Sequence, residues 1–328
     1  MSSDEWHLFR GCAGPLGPAT TGHGAHVRRA EQNGCNRRRE QHVAKTPAPN
    51  WTDESSNQLK VTRGFELSSV DPSSTPGFSG DKADAQAAGA AAAEALSHQQ
   101  EMLFANSRQG DNRKVLLILQ GMDTSGKGGI VRHVVGAVDP QGVSHVAFKA
   151  PTRAELQHDF LWRIRPHAPT PGMIGVFDRS HYEDVLIARV KELAPAAEIE
   201  ARYDQINAFE QQLVEDDTTV IKVMLHLSPG EQKKRLLERL DRPDKHWKFN
   251  PGDIDERMLW PGYQSAYQIA LGRTSTALAP WYVVPADRKW FARLAVRELL
   301  LQALAGMVLT WPPADYDVQA ERARLAAT

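Results

Sequence analysis

Five short apolar runs punctuate the chain: Val115 to Leu119, Val143 to Phe148, Met173 to Phe177, Thr219 to Leu225 and Trp281 to Val284. Unbroken runs of this length suit strands covered on both faces. Between them lie mixed segments of helical character with readable start signals. Thr152 with Glu155, Ser228-Pro229 with Glu231, and Asn250-Pro251 with Asp253 each pair a capping side chain with an acid three residues on. An Ala-rich stretch from about residue 81 to Asn106 predicts a long helix ahead of the first strand. Buried strand alternating with helix predicts an α/β fold, a parallel five-stranded sheet flanked by helices. No internal repeat of fixed period is visible.

The first 55 residues break this pattern. They are rich in Gly, Pro, Asn, Arg and His, carry the basic runs Arg28-Arg29 and Arg37-Arg38-Arg39, and show no apolar period, so residues 1–55 are expected to be a disordered extension. Residues 56–315 are expected to form one domain, with a lid at about 229–262, and residues 316–328 a tail.

Composition changes the picture in two ways. With a formal net charge of -1 over 328 residues, bulk attraction to nucleic acid is excluded, and an anionic substrate must be met by local clusters of Lys and Arg. Both cysteines, Cys12 and Cys35, lie in the extension, leaving the domain no thiol for a disulfide, a zinc cage or a nucleophile. No membrane span and no secretory signal are apparent, so a cytoplasmic protein is expected.

Directly after the first strand stands Gly121-Met122-Asp123-Thr124-Ser125-Gly126-Lys127-Gly128-Gly129, followed by the helical Ile130 to Ala137. Glycines let backbone N–H groups turn onto an anion, the helix start adds its positive end, and Lys127 adds a mobile cation. Gly121, Thr124, Ser125, Gly126, Gly128 and Gly129 are therefore candidates to cradle phosphate. Where a Ser or Thr hydroxyl ordinarily reaches Mg²⁺, this chain has Gly128. Asp123 is then a candidate metal ligand, with an Asx turn as its alternative role.

The third run ends in Asp178-Arg179, at the carboxyl end of a parallel strand where such sheets bind ligands. Asp178 suits a second Mg²⁺ ligand and Arg179 a cation for a transferring phosphoryl group, the alternative being a structural pair capping the next helix. Glu183 is a candidate for the metal's water shell or a nucleotide hydroxyl, and Lys149 ends the second strand on the ligand side. Past the fourth strand, Lys233, Lys234, Arg235, Arg239, Arg242, Lys245 and Lys248 make a basic lid over a polyanion or, blandly, a surface helix laced with ion pairs. Arg163 on a helix joins Lys149 as a second, weaker basic set or is solvated, the histidines His133, His158 and His181 are expected to pack or cap, and Trp162, Trp247 and Trp260 are expected to be core. Phosphoryl transfer needs positioning and charge neutralisation more than covalent chemistry, and these residues supply both.

Those motifs, with Val138-Asp139-Pro140-Gln141-Gly142-Val143, Phe148-Lys149-Ala150-Pro151-Thr152, His158-Asp159-Phe160-Leu161-Trp162-Arg163, Phe177-Asp178-Arg179-Ser180-His181-Tyr182-Glu183-Asp184 and Trp247-Lys248-Phe249, resemble the family-2 polyphosphate kinases from about residue 58 to 312. The resemblance implies a P-loop kinase fold similar to thymidylate kinase, with a helical lid, and Mg²⁺-dependent transfer between inorganic polyphosphate and nucleoside mono- or diphosphates. It implies Asp123, Lys127, Asp178 and Arg179 as the essential set, the lid cations as polyphosphate contacts, and a homo-oligomer, dimer or tetramer. The Tyr182-Glu183 pair leans toward AMP and ADP as acceptors. Two readings stay open: an ATP-dependent nucleoside monophosphate kinase, and a nucleotide- or polyphosphate-binding regulator without turnover. Residues 1–55 have no counterpart in the family, and Pro261-Gly262 interrupts a stretch that the family keeps helical.

Overall fold

The computed structural model describes residues 51–328, so the expected disorder of the extension falls outside it except at its last five positions. Those positions belong to the fold. Trp51 is buried against Phe291, with ring centroids 6.2 Å apart. A lone anchoring indole leaves no period in the sequence, so the fold begins earlier than the apolar pattern predicts.

The elements run α1 (Asp53–Asn57), α2 (Lys82–Ser107), β1 (Lys114–Gln120), α3 (Lys127–His133), β2 (Val143–Ala147), β3 (Ile174–Asp178), α4 (Ile187–Val190), α5 (Ala196–Glu215), β4 (Thr218–His226), α6 (Pro229–Leu240), α7 (Gly252–Met258), α8 (Trp260–Thr274), β5 (Trp281–Pro285), α9 (Lys289–Gly306) and α10 (Val318–Ala326). All five strands are parallel, in the order β2-β3-β1-β4-β5. The expected five-stranded parallel α/β sheet is therefore the one observed. Residues 59–61 cover the β5 edge: the Val61 N–H donates to the Trp281 carbonyl and the Val283 N–H to the Leu59 carbonyl, both at 2.8 Å.

β1 explains the unbroken apolar run. Its Val115, Leu117 and Leu119 pack into the core that α2 and α9 cover, while Leu116 and Ile118 point to the opposite core beneath α5 and α8. Side chains alternate between the faces of a strand, so a strand with two covered faces is apolar at every position. β1 is also the switch point, with β3 on one side and β4 on the other, and the crevice at its carboxyl end is where this topology receives a ligand.

The start signals separate on inspection. Ser228 caps α6, its Oγ accepting from the Glu231 N–H at 3.1 Å. The Thr152 and Glu155 box forms, with the Thr152 N–H 2.6 Å from Glu155 Oε2, yet it opens only the three-residue turn Glu155–Gln157. Pro166, Pro169 and Pro171 follow closely, and proline lacks the N–H that a longer helix would need. Pro261 interrupts no helix: it sits in the first turn of α8, where the missing N–H has no partner to lose. The tail carries α10, exposed along its length. Among the described residues, no helix is long and apolar enough to cross a membrane.

Candidate phosphate-binding cleft

The loop between β1 and α3 has its tight turn because Gly121 takes φ 150° and Gly126 takes φ 118°. A Cβ on Gly121 would lie 2.7 Å from Ser125 Oγ and 2.8 Å from the Leu225 carbonyl, so no larger residue fits. At Gly126 and Gly128 an added Cβ would meet nothing within 4 Å. Among the described residues, the N–H groups of Thr124, Gly126, Lys127 and Gly128 find no acceptor. That is the geometry of an anion cradle. Lys127 Nζ donates to the Gly121 carbonyl at 2.7 Å, folding the ammonium across the loop.

Across the cleft, β3 delivers Asp178 and Arg179. The Arg179 N–H continues the ladder to the Leu119 carbonyl at 3.0 Å, and Arg179 itself turns with φ 64°, a strained conformation for a side chain of this size. The turn sends its guanidinium to Asp123, Nη2 to Oδ1 at 2.9 Å. Burial works against the Arg179 charge, but Glu183 and Asp123 outweigh it and push the guanidinium further from titration. Asp123 and Asp178 line one cleft of about 580 Å³ with the loop residues 123–129, Lys149 and Arg179. Asp178 makes no ion pair among the described residues.

A metal fits this donor set in one manner. No group of three or more His, Cys, Asp and Glu side chains among the described residues is placed to hold an ion, which leaves two hard carboxylates. Mg²⁺ is commonly held by one or two carboxylates together with substrate phosphates and water. The buried Thr124 Oγ1 and Ser125 Oγ also lack partners.

The lid cations divide. Arg239, Arg242, Lys245 and Lys248 line the cleft, with Arg239 tied to Asp253 of α7 at 3.2 Å and Arg242 to Asp244 at 2.9 Å. Lys233 and Lys234 lie on other faces of α6 and do not line it. Arg235 is a correction of another kind. It is 4% exposed, and its five N–H donors are all spent on Glu231 Oε1 and the carbonyls of Thr124, Ser125, Ala286 and Asp287, at 2.7 to 3.2 Å. A guanidinium has five donors and no more, so Arg235, although it lines the cleft, clamps the phosphate loop and has none left for polyphosphate. Gln232 adds to the clamp, its Nε2 donating to the Asp123 carbonyl at 3.1 Å.

Glu183 lies beside Arg179 and Lys127 without lining the cleft. Burial pushes its carboxyl up while those two cations pull it down. Arg163 belongs to a buried turn, where Nη1 donates to the Lys149 carbonyl at 2.7 Å. Trp162 and Trp247 are exposed and not core, Trp162 stacking on His158 with centroids 4.1 Å apart.

Sequence reasoning missed the group that holds this wall in place. Lys222 Nζ donates to Glu210 Oε2 at 2.5 Å, to the Thr274 carbonyl at 2.6 Å and to the Tyr182 hydroxyl at 3.1 Å. His181 Nε2 meets Glu210 Oε1 at 3.3 Å. Every one of these side chains is buried. Lys222 holds Glu210 ionised against the burial that opposes its charge. The visible signal was a lysine in the middle of the apolar run Val220-Ile221-Lys222-Val223-Met224.

Sheet order, loop and opposed carboxylate define a parallel α/β protein built to bind phosphate at its switch point. The Polyphosphate kinase 2 family pattern matches residues 81–310, and the chain belongs to that family. It is similar to the AMP/ADP-polyphosphate phosphotransferase of Meiothermus ruber, 44% identical over 76% of this chain and 91% of that one. It is also similar to the ADP-polyphosphate phosphotransferase of Rhodopseudomonas palustris, 43% identical over 67% and 78% of the two chains. Among solved structures, polyphosphate kinase 2 from Arthrobacter aurescens TC1 superposes with a TM-score of 0.82 at 57% identity, covering 84% of this chain and 97% of that one.

Proposed function

We propose that this chain transfers phosphoryl groups between inorganic polyphosphate and AMP or ADP, with Asp123, Lys127, Asp178 and Arg179 as the working set and Mg²⁺ as cofactor. One observation carries the reading: Arg239, Arg242, Lys245 and Lys248 line the same cleft as the phosphate loop, a surplus of cations suited to a chain of phosphates. The named activities of the Meiothermus ruber and Rhodopseudomonas palustris relatives agree with it.

The chemistry follows from the charges. An acceptor phosphate is already ionised near neutral pH, so its oxygen attacks the terminal phosphorus of polyphosphate without a general base. One P–O bond forms, one breaks, and the shortened polyphosphate leaves with the electron pair. Asp123 and Asp178 would hold Mg²⁺, which would supply charge neutralisation at the phosphate oxygens. Lys127 leaves the Gly121 carbonyl to meet a phosphate oxygen, and Arg179, preset by its backbone turn, faces the charge that develops on the moving group. Asp123 holds the Arg179 guanidinium in place, and Glu183 adds negative charge beside it. The lid excludes water, so that the phosphoryl group is not lost to hydrolysis.

The test is a mixture of ADP or AMP, polyphosphate and Mg²⁺ with no ATP supplied. ATP should appear, and Asp178→Asn should slow it about a thousandfold while leaving thermal unfolding in place. Turnover only with ATP and a monophosphate would point to an ATP-dependent monophosphate kinase, and binding without turnover to a regulator. A cytoplasmic homo-oligomer is part of the same proposal. Support comes from the exposed Trp311, Tyr316, Val318 and Leu325 near the C-terminal end and from a domain without cysteine. Light scattering that reads only a monomer would overturn the oligomer.

A further inference from the structure

The cleft does not end at its mouth. A second groove of about 690 Å³ runs between the start of α2, the outer face of α6 and the start of α9, and it shares His133, Glu238, Lys289 and Arg293 with the first. The two are one continuous surface. Its charges are unbalanced along the way. Lys82, Arg288 and Arg293 line the groove and make no ion pair among the described residues, and Arg132 on the cleft side makes none either.

The acids present are engaged elsewhere. Glu231 is taken by Arg235 at 2.9 Å, and Asp287 Oδ1 accepts from the Ser228 N–H at 2.8 Å. Glu238 comes only within 3.9 Å of Lys289. The cations feel one another: burial first, then Arg293, Arg132 and Arg297, push the His133 imidazole down, and burial with Arg132 pushes Arg293 down. Arg297 is tied to the fold by its bonds to the carbonyls of Gly89 and His133. Cations packed without partners along a groove repel each other until an anion arrives.

We propose that this groove is a distal binding site for inorganic polyphosphate, taking the phosphates that extend beyond the cleft across Arg293 and Lys289 toward Arg288 and Lys82. The proposal rests on the reading of the cleft as a polyphosphate site and adds a reason for the enzyme to prefer long chains. Only a chain that leaves the cleft reaches Lys82 and Arg288, because these two line the second groove and not the first.

The experiment uses the full chain and the double variant Lys82→Gln/Arg288→Gln, with ATP formation from ADP as readout. Each exposed cation lost should raise the KM for long-chain polyphosphate about 2- to 5-fold, with kcat unchanged. Tripolyphosphate, tried as substrate or as competitor, is too short to reach the groove and should lose no affinity. The charge-keeping variant Lys82→Arg/Arg288→Lys should restore the long-chain KM, which separates lost binding from damaged folding. An unchanged long-chain KM, or equal losses for both phosphates, overturns the groove alone. If the unaltered chain makes no ATP from either phosphate, the functional reading falls and takes the groove with it.

Discussion

Lys222, in the middle of β4, and Arg242, past the end of α6, are both cations, and the molecule treats them in opposite ways. Lys222 is wholly enclosed and meets a carboxylate, a carbonyl and a hydroxyl within 3.1 Å. Arg242 faces the cleft with a single exposed partner, Asp244. The difference separates charge buried in the interior from charge exposed in the cleft, where the proposed function places the substrate. Inside, each charge is matched because an unmatched one is very costly. At the cleft, Arg239, Arg242 and Lys245 share only Asp253 and Asp244 as ion-pair partners, so positive charge is left over there.

The comparison breaks most severely at Lys222. Lys222→Met leaves Glu210 buried without its ammonium partner, with only His181 and the Tyr182 hydroxyl beside it, which should cost about 3–5 kcal/mol of stability by urea unfolding, whereas Lys222→Met/Glu210→Gln should recover much of it. Simple additivity of the two single losses would show that the pair is not coupled.

Arg235 comes next, because it sits on the lid helix yet behaves like the interior. Arg235→Gln should cost about 2–3 kcal/mol, the scale of charged hydrogen bonds lost with their carbonyls left unpaired. Arg235→Lys should not rescue it, since an ammonium lacks the fork. Arg242→Gln should leave unfolding unchanged and raise the polyphosphate KM about 2- to 5-fold.

Glu298 of α9 gives a smaller effect with a sign that pH can read. Its carboxyl is pushed up to about 7 by burial, from an ordinary 4.5, with Arg297 pulling weakly the other way. The folded chain keeps this proton where the unfolded chain has lost it, so the stabilisation is complete below pH 4.5 and drains away as pH rises through 7. Glu298→Gln should therefore gain about 1–2 kcal/mol at pH 8 and nothing at pH 4, measured as unfolding midpoints across that range. The smallest change is expected at Lys233, which is exposed and outside the cleft: Lys233→Ala should leave KM and stability as they are.

These contrasts also mark what the chain alone discloses. The five strands, the glycine loop and Asp178 were legible because each is a local pattern: an unbroken apolar run, a spacing, a carboxylate at a strand end. Arg235 was not, since its role depends on carbonyls more than a hundred residues earlier in the chain, at Thr124 and Ser125, and a helix rich in Lys and Arg looks the same whichever cation turns inward. Trp51 was lost for a similar reason. Lys222 left a trace, one charge in a buried strand, whose meaning appears only when Glu210 is brought opposite it.

The Arg235 clamp constrains how the cleft can open. The helix that carries Arg239 toward the cleft is riveted at mid-length to the backbone of the phosphate loop, and Gln232 adds a second fastening one turn earlier. Swinging that helix outward as a rigid rod would tear the phosphate cradle apart. Any gate must pivot beyond Leu240, where the helix ends, so that the tip bearing Arg242, Lys245 and Lys248 moves while the floor stays still.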